Sequence, residues 1–122
     1  MRNEQKTIFV LDDDLDILEF LQALLQQEGY RVVITSKAES LEKLISGDTL
    51  PDLILMDVFL SGSDGCEIVK QLKSQEKSRS IPVVMFSAHP GVEGTARHAG
   101  ADAFVSKPFE MDELLAKIEH YL

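Results

Sequence analysis

Five short runs rich in apolar, β-branched and aromatic residues punctuate the chain: Thr7-Ile8-Phe9-Val10-Leu11, Tyr30 to Thr35, Leu53-Ile54-Leu55-Met56, Ile81 to Phe86 and Ala103-Phe104-Val105-Ser106. Their length and composition predict buried strands. Pro82 stands near the start of the fourth, where a missing donor is tolerated. Between the runs the apolar residues change to helical spacing. Ile17, Leu18, Leu21, Leu24 and Leu25 form one stripe, closed by Gly29. Ala38, Leu41, Leu44 and Ile45 form a second, behind a Ser36-x-x-Glu39 capping box and stopped by Gly47 and Asp48. Ile68, Val69 and Leu72 form a third, which Asp64 and Glu67 can cap. Val92, Ala96 and Ala99 form a fourth, opened by Pro90 and weakened by Gly94, so this helix is expected to be the least rigid. Met111, Leu114, Leu115, Ile118 and Tyr121 line the last. Ser61 to Gly65 reads as a loop, and Lys73 to Ser80 as a solvated connection.

Five strands alternating with five helices predict a three-layer α/β fold of parallel strands and right-handed crossovers. Ligands in such folds bind beyond the carboxyl ends of the strands. Asp12 and Asp13, Asp57, Ser87 and Lys107 each follow the end of a different strand, so the fold is expected to bring them to one rim. Asp57 is the most telling of them. A carboxylate closing a fully apolar run needs hydrogen bonds, a cation or a metal to offset its desolvation.

The 122 residues suit one domain, read here as residues 1–122, with 44% hydrophobic and 27% charged positions. A net charge of −9 opposes direct binding to nucleic acid or to an anionic membrane surface. No apolar run reaches membrane-spanning length. The single cysteine, Cys66, cannot form an internal disulfide and reads as a small hydrophobe, and no basic-then-apolar leader opens the sequence. Together these point to a reducing, cytoplasmic setting.

Three carboxylates gathered at a strand rim repel one another unless a cation joins them. Oxygen-only ligands favour Mg²⁺, which keeps several waters and takes one or two carboxylates plus phosphate. With that ion and the Lys107 ammonium beside it, Asp57 becomes a nucleophile toward phosphorus, and the Ser87 hydroxyl can bond a phosphoryl oxygen.

In this ordered set the chain resembles the receiver domains of two-component response regulators. The acidic cluster after the first strand, the aspartate after the third, Ser87-Ala88 after the fourth and Lys107-Pro108 after the fifth carry the resemblance over essentially the whole chain. It implies a flavodoxin-like doubly wound (βα)5 sandwich with sheet order 2-1-3-4-5. It implies that Asp57 receives phosphate and that Asp12, Asp13, Asp57 and the Phe59 backbone carbonyl hold Mg²⁺. Lys107 would pair with the phosphoryl group, while Ser87 and Phe104 act as the switch, Ser87 moving toward the phosphoryl group and Phe104 turning inward. Phe59 and His89 stand where relatives tune dephosphorylation, and Phe59 is expected to slow hydrolysis. The Lys107-Pro108 bond is expected to be cis. Ser61 replaces a proline common in relatives, which suggests a more mobile loop. The donor would be a sensor histidine kinase or a histidine phosphotransfer protein, with the domain catalysing its own phosphorylation and dephosphorylation. The output would be a changed protein-binding surface on the last two helices and fifth strand.

Two rival functions have weaker support. An aspartyl-phosphate phosphohydrolase would use Asp12-x-Asp14 after the first strand, as haloacid-dehalogenase-like enzymes do, but Asp16 stands where Thr or Val is expected. A docking module without phosphorylation would not need the full acidic and lysine set. A nucleotide switch lacks its G-x-x-x-x-G-K-[ST] loop. Taken singly, Asp14 or Asp16 is a helix cap, Ser87 a turn residue, Lys107 a surface charge, and Phe104 and Phe109 packing residues. His98 and His120 read as ordinary surface positions.

Overall fold

The apolar runs lie side by side. The computed structural model describes residues 5–47, 49–60, 62–89 and 91–122. In chain order the elements are β1 (Thr7–Leu11), α1 (Leu15–Gln27), β2 (Arg31–Thr35), α2 (Ala38–Ser46), β3 (Leu53–Asp57), β4 (Phe59–Leu60), β5 (Ser63–Asp64), α3 (Gly65–Ser74), β6 (Val83–Ser87), α4 (Glu93–Ala99), β7 (Ala103–Ser106) and α5 (Met111–Tyr121). The main sheet runs β2-β1-β3-β6-β7 with every pairing parallel, which is the order 2-1-3-4-5 among its own five strands. This is the flavodoxin-like three-layer fold.

Strand alternation feeds two separate cores, because successive side chains leave a strand on opposite faces. Ile8 and Val10, Leu53 and Leu55, Val84 and Phe86 pack with Leu21 and Leu25 of α1 and with Leu114 and Ile118 of α5. Phe9 and Leu11, Ile54 and Met56, Val83 and Met85 pack on the other face with α2, α3 and α4. Both faces are covered, which is why these strands read as unbroken apolar runs.

Three local expectations need correction. The Ser36–Glu39 capping box does not form: α2 starts one residue later, with Lys37 at its N-cap and no side-chain capping bond. β2 runs on through Thr35, whose Oγ1 accepts the Lys37 amide at 3.1 Å and makes the turn instead. The segment after Asp57 is not a plain loop, since β4 and β5 form a small antiparallel hairpin, Phe59 opposite Asp64, with Gly62 at φ 71° in its turn. Nor is Lys73 to Ser80 simply solvated. Lys73 Nζ donates to the carbonyls of Ile81 (2.8 Å) and Arg79 (3.3 Å) and to Asp102 Oδ2 (2.9 Å), and the buried Ser78 hydroxyl donates to Leu72 O at 2.7 Å. Carbonyls from the end of α3 to the approach to β6 find their donors in these two side chains, and Asp102 holds the lysine in place from β7's side of the sheet. The expectations placed on Asp48, Ser61 and Pro90 lie outside the described residues. Among the described residues no helix is long and apolar enough to cross a membrane.

Candidate functional site

The triple aspartate divides its labour within one turn. Asp14 caps α1, its Oδ1 accepting the amides of Asp16 (3.0 Å) and Ile17 (3.4 Å), while Asp16 sits exposed in the first turn, where the helix dipole favours it. Asp12 is only 1% exposed; its Oδ1 accepts the Asp14 amide at 2.9 Å, which leaves Oδ2 for other partners. Asp13 is half-buried at the same turn.

Asp57, 9% exposed, ends β3. Lys107 arrives from the end of β7, with its amide bonded to Ser87 O at 2.8 Å and a cis bond to Pro108, as expected. Its ammonium donates to both Asp12 Oδ2 (3.0 Å) and Asp57 Oδ2 (3.2 Å). Residues separated by 95 and 50 positions in the chain are thus joined through one nitrogen.

Burial pushes the Asp57 carboxyl above its ordinary value; Lys107 pulls it down and the Asp12 carboxylate pushes it further up. One ammonium serves two carboxylates, so negative charge is left in excess at a poorly hydrated rim. Among the described residues no three His, Cys, Asp or Glu side chains cluster as a self-sufficient metal cage. A pair of carboxylates is nonetheless what Mg²⁺ uses when most of its shell is water and phosphate. The residues present therefore fit that ion and suit softer metals poorly.

Ser87 is buried at the end of β6, its Oγ accepting the His89 amide at 3.0 Å. Phe104 on β7 lies opposite Met85, with its ring buried among the side chains facing α3 and α4. Phe59 is 48% exposed, and its ring meets that of His89 with centroids 4.4 Å apart. The two positions thus form one contact at the mouth of the site. Cys66 is buried, and burial pushes its thiol up, away from reactivity.

Two residues escaped the sequence reading. Gly65 opens α3 so close to β3 that a Cβ there would stand 2.5 Å from Asp57 O and 2.7 Å from Val58 O. Its only signal in the sequence was turn composition. Phe86 reads as one more core residue, yet the Lys107 ammonium lies 4.7 Å from its ring centroid.

The family model for the response regulator receiver domain matches residues 8–119. The chain belongs to this family, the signalling switches of two-component systems. It is 36% identical over 118 residues to the phosphate regulon transcriptional regulatory protein PhoB of Escherichia coli, a match covering 93% of this chain and 50% of that protein. The chain therefore spans about half the length of the curated relatives it matches. The crystal structure of response regulator protein TrrA from Thermotoga maritima, in complex with Mg²⁺-BeF, superposes with a TM-score of 0.84 at 31% identity, over 97% of this chain and 100% of that one. A putative response regulator from Chloroflexus aurantiacus superposes at 0.89 with 27% identity, over 97% and 98%.

Proposed function

We propose that Asp57 accepts a phosphoryl group from a histidine on a sensor kinase or phosphotransfer protein, and that residues 1–122 form one such receiver unit. The observation that carries this reading is the Lys107 ammonium bridging Asp12 and Asp57, 3.0 and 3.2 Å away. A bond forms between an Asp57 carboxylate oxygen and phosphorus as the phosphorus–nitrogen bond to the donor imidazole breaks, and the imidazole leaves with the electron pair and takes up a proton. Lys107 shifts its bond from the carboxylate to a phosphoryl oxygen, and Ser87 offers its hydroxyl to another. Asp12, Asp13, Asp57 and the Phe59 carbonyl would hold Mg²⁺, which neutralises charge on the phosphoryl oxygens when bound. The Mg²⁺-BeF complex of the Thermotoga relative supports this choice.

Phosphorylation adds roughly −1.5 to −2 charge at pH 7. Ser87 moves toward it; the inward turn expected of Phe104 is already made here, since its ring is buried, so phosphorylation holds it there. The population of the segment around α4 shifts, which alters the surface of α4, β7 and α5 offered to a protein target or effector domain. A net charge of −9 keeps these 122 residues from direct nucleic-acid contact, a statement that does not extend to a longer protein such as the transcriptional regulator it resembles. The working compartment is the cytoplasm, where phosphohistidine donors and Mg²⁺ are at hand.

Incubation with Mg²⁺ and a small phosphodonor is expected to give an acid-stable, base-labile adduct that Asp57→Asn abolishes. A chain that forms no adduct sinks this reading, and rapid turnover of varied phosphate esters points to the hydrolase.

A further inference from the structure

We propose that Phe86 is a positioning residue for Lys107: the face of its ring is the third partner of the ammonium and keeps it over the carboxylate rim during phosphoryl transfer. The inference rests on the role given to Lys107 above. The Lys107 side chain is only 15% exposed, so its nitrogen has little water to turn to. An ammonium has three N–H donors, and the two carboxylates take two. The Phe86 ring centroid stands 4.7 Å from the same nitrogen, inside the roughly 6 Å over which a cation is drawn to an aromatic face.

The ring is fixed more firmly than the charge it supports. Phe86 is fully buried and lies opposite Asp57 across the β3–β6 ladder, and its carbonyl accepts the Val58 amide at 3.0 Å. Phe109, just past the cis bond, packs against it with centroids 6.0 Å apart and planes at 59°. Asp57 on β3 and the platform under Lys107 on β6 therefore share one level of the sheet. Filling this core needs only an apolar side chain, as Leu55 and Val84 show beside it. The aromatic face adds what an aliphatic one lacks, attraction for a desolvated cation.

The ring also differs from the carboxylates in kind. In the proposed reaction Asp57 gives its carboxylate oxygen to the new bond, and Asp12 would be shared with Mg²⁺. Both partners that hold Lys107 at rest are then weakened together. The ring neither titrates nor ligates, so it holds the ammonium at one point before and after transfer. Positioning of this sort acts on rate through geometry, since a small displacement of a charge-stabilising group costs disproportionately.

The test uses the full chain with 4-fluoro- and then 3,4,5-trifluorophenylalanine placed at position 86, which drain the ring face while nearly keeping its shape, together with Phe86→Leu. Lys107 ε-methylene protons in the native protein are expected to resonate upfield from the ring current, and to return in Phe86→Leu. With Mg²⁺ and a small phosphodonor, the phosphorylation rate is expected to fall stepwise with fluorination, by about threefold or more at the trifluoro ring. A rate indifferent to fluorination, or an unshifted ε-methylene, overturns the proposal and leaves Phe86 as packing. If the native chain forms no adduct at all, the phosphoryl-transfer reading falls and this role falls with it, while the methylene shift still reports the contact separately.

Discussion

At the amino ends of β6 and β7, Lys73 and Asp102 pair at 2.9 Å, and each has further partners. Asp102 Oδ2 also accepts the Val83 amide at 2.8 Å, and Lys73 donates to two carbonyls. At the carboxyl ends of β1 and β3, Lys107 is divided between Asp12 and Asp57, and burial raises the carboxyl of Asp57. Both assemblies join a lysine to aspartate at a sheet edge. The first has one carboxylate per ammonium and backbone donors to complete it, so it holds the chain in place. The second has one carboxylate too many, so it favours a further cation. Charge balance, more than residue type, separates structure from chemistry here.

Substituting Asp57 should widen that contrast most. Asp57→Asn is expected to abolish the phospho-adduct and to raise the melting temperature at neutral pH. The direction follows from the raised carboxyl. A group held above its ordinary 3.8 in the folded state contributes stability below that value and loses it as pH rises through the folded pKa. The advantage of Asn over Asp should therefore shrink in scans taken progressively below pH 4. Equal melting curves at every pH would show that Asp57 is not strained by burial.

Lys107→Met should come next, slowing phosphorylation by about 10²-fold, as removal of one charge-stabilising donor typically does. Single-turnover rates with a small phosphodonor measure it, and a loss under threefold would remove Lys107 from the reaction. At the opposite rim, Asp102→Ala is expected to cost about 2 kcal/mol, because Lys73 and the Val83 amide both lose a partner. Urea unfolding reads that loss, while the phosphorylation rate at 25 °C should stay near native. A matched fall in rate would mean the two rims are coupled. The smallest effect is expected at the mouth: Phe59→Asn should shorten the phosphoprotein's lifetime severalfold by parting the aromatic contact with His89 and admitting water. Unchanged decay would leave Phe59 without a shielding role.

Much of this was legible in the linear chain. The apolar runs locate all five strands of the main sheet because both of its faces are buried, and the helical stripes locate all five helices. Asp14 was among the two capping choices, and Asp64 caps α3 through the Cys66 amide as its position suggests. The failures share a cause. The capping box at Ser36 gave way to a strand that extends through Thr35, and the connection from Lys73, solvated over most of its length, is tied at Lys73 into a half-buried network because Asp102, 29 residues on, comes to meet it. In both places a distant partner outweighed a local preference.

Residue type and periodicity by themselves determined the layers, the succession of strands and helices along the chain, and which acids and which lysine end on one rim of the sheet. Only the tertiary structure decided how those charges are shared. Asp12 takes an amide and half an ammonium, Asp14 a helix end, and Asp57 the other half of the ammonium at a buried edge. The same holds for Phe86, an unremarked core residue until its ring is found against the Lys107 nitrogen. Periodicity follows from covalent geometry repeated along the chain, whereas Coulombic and cation–π terms depend on distances of a few ångströms across it, and those exist only once the sheet has set its register.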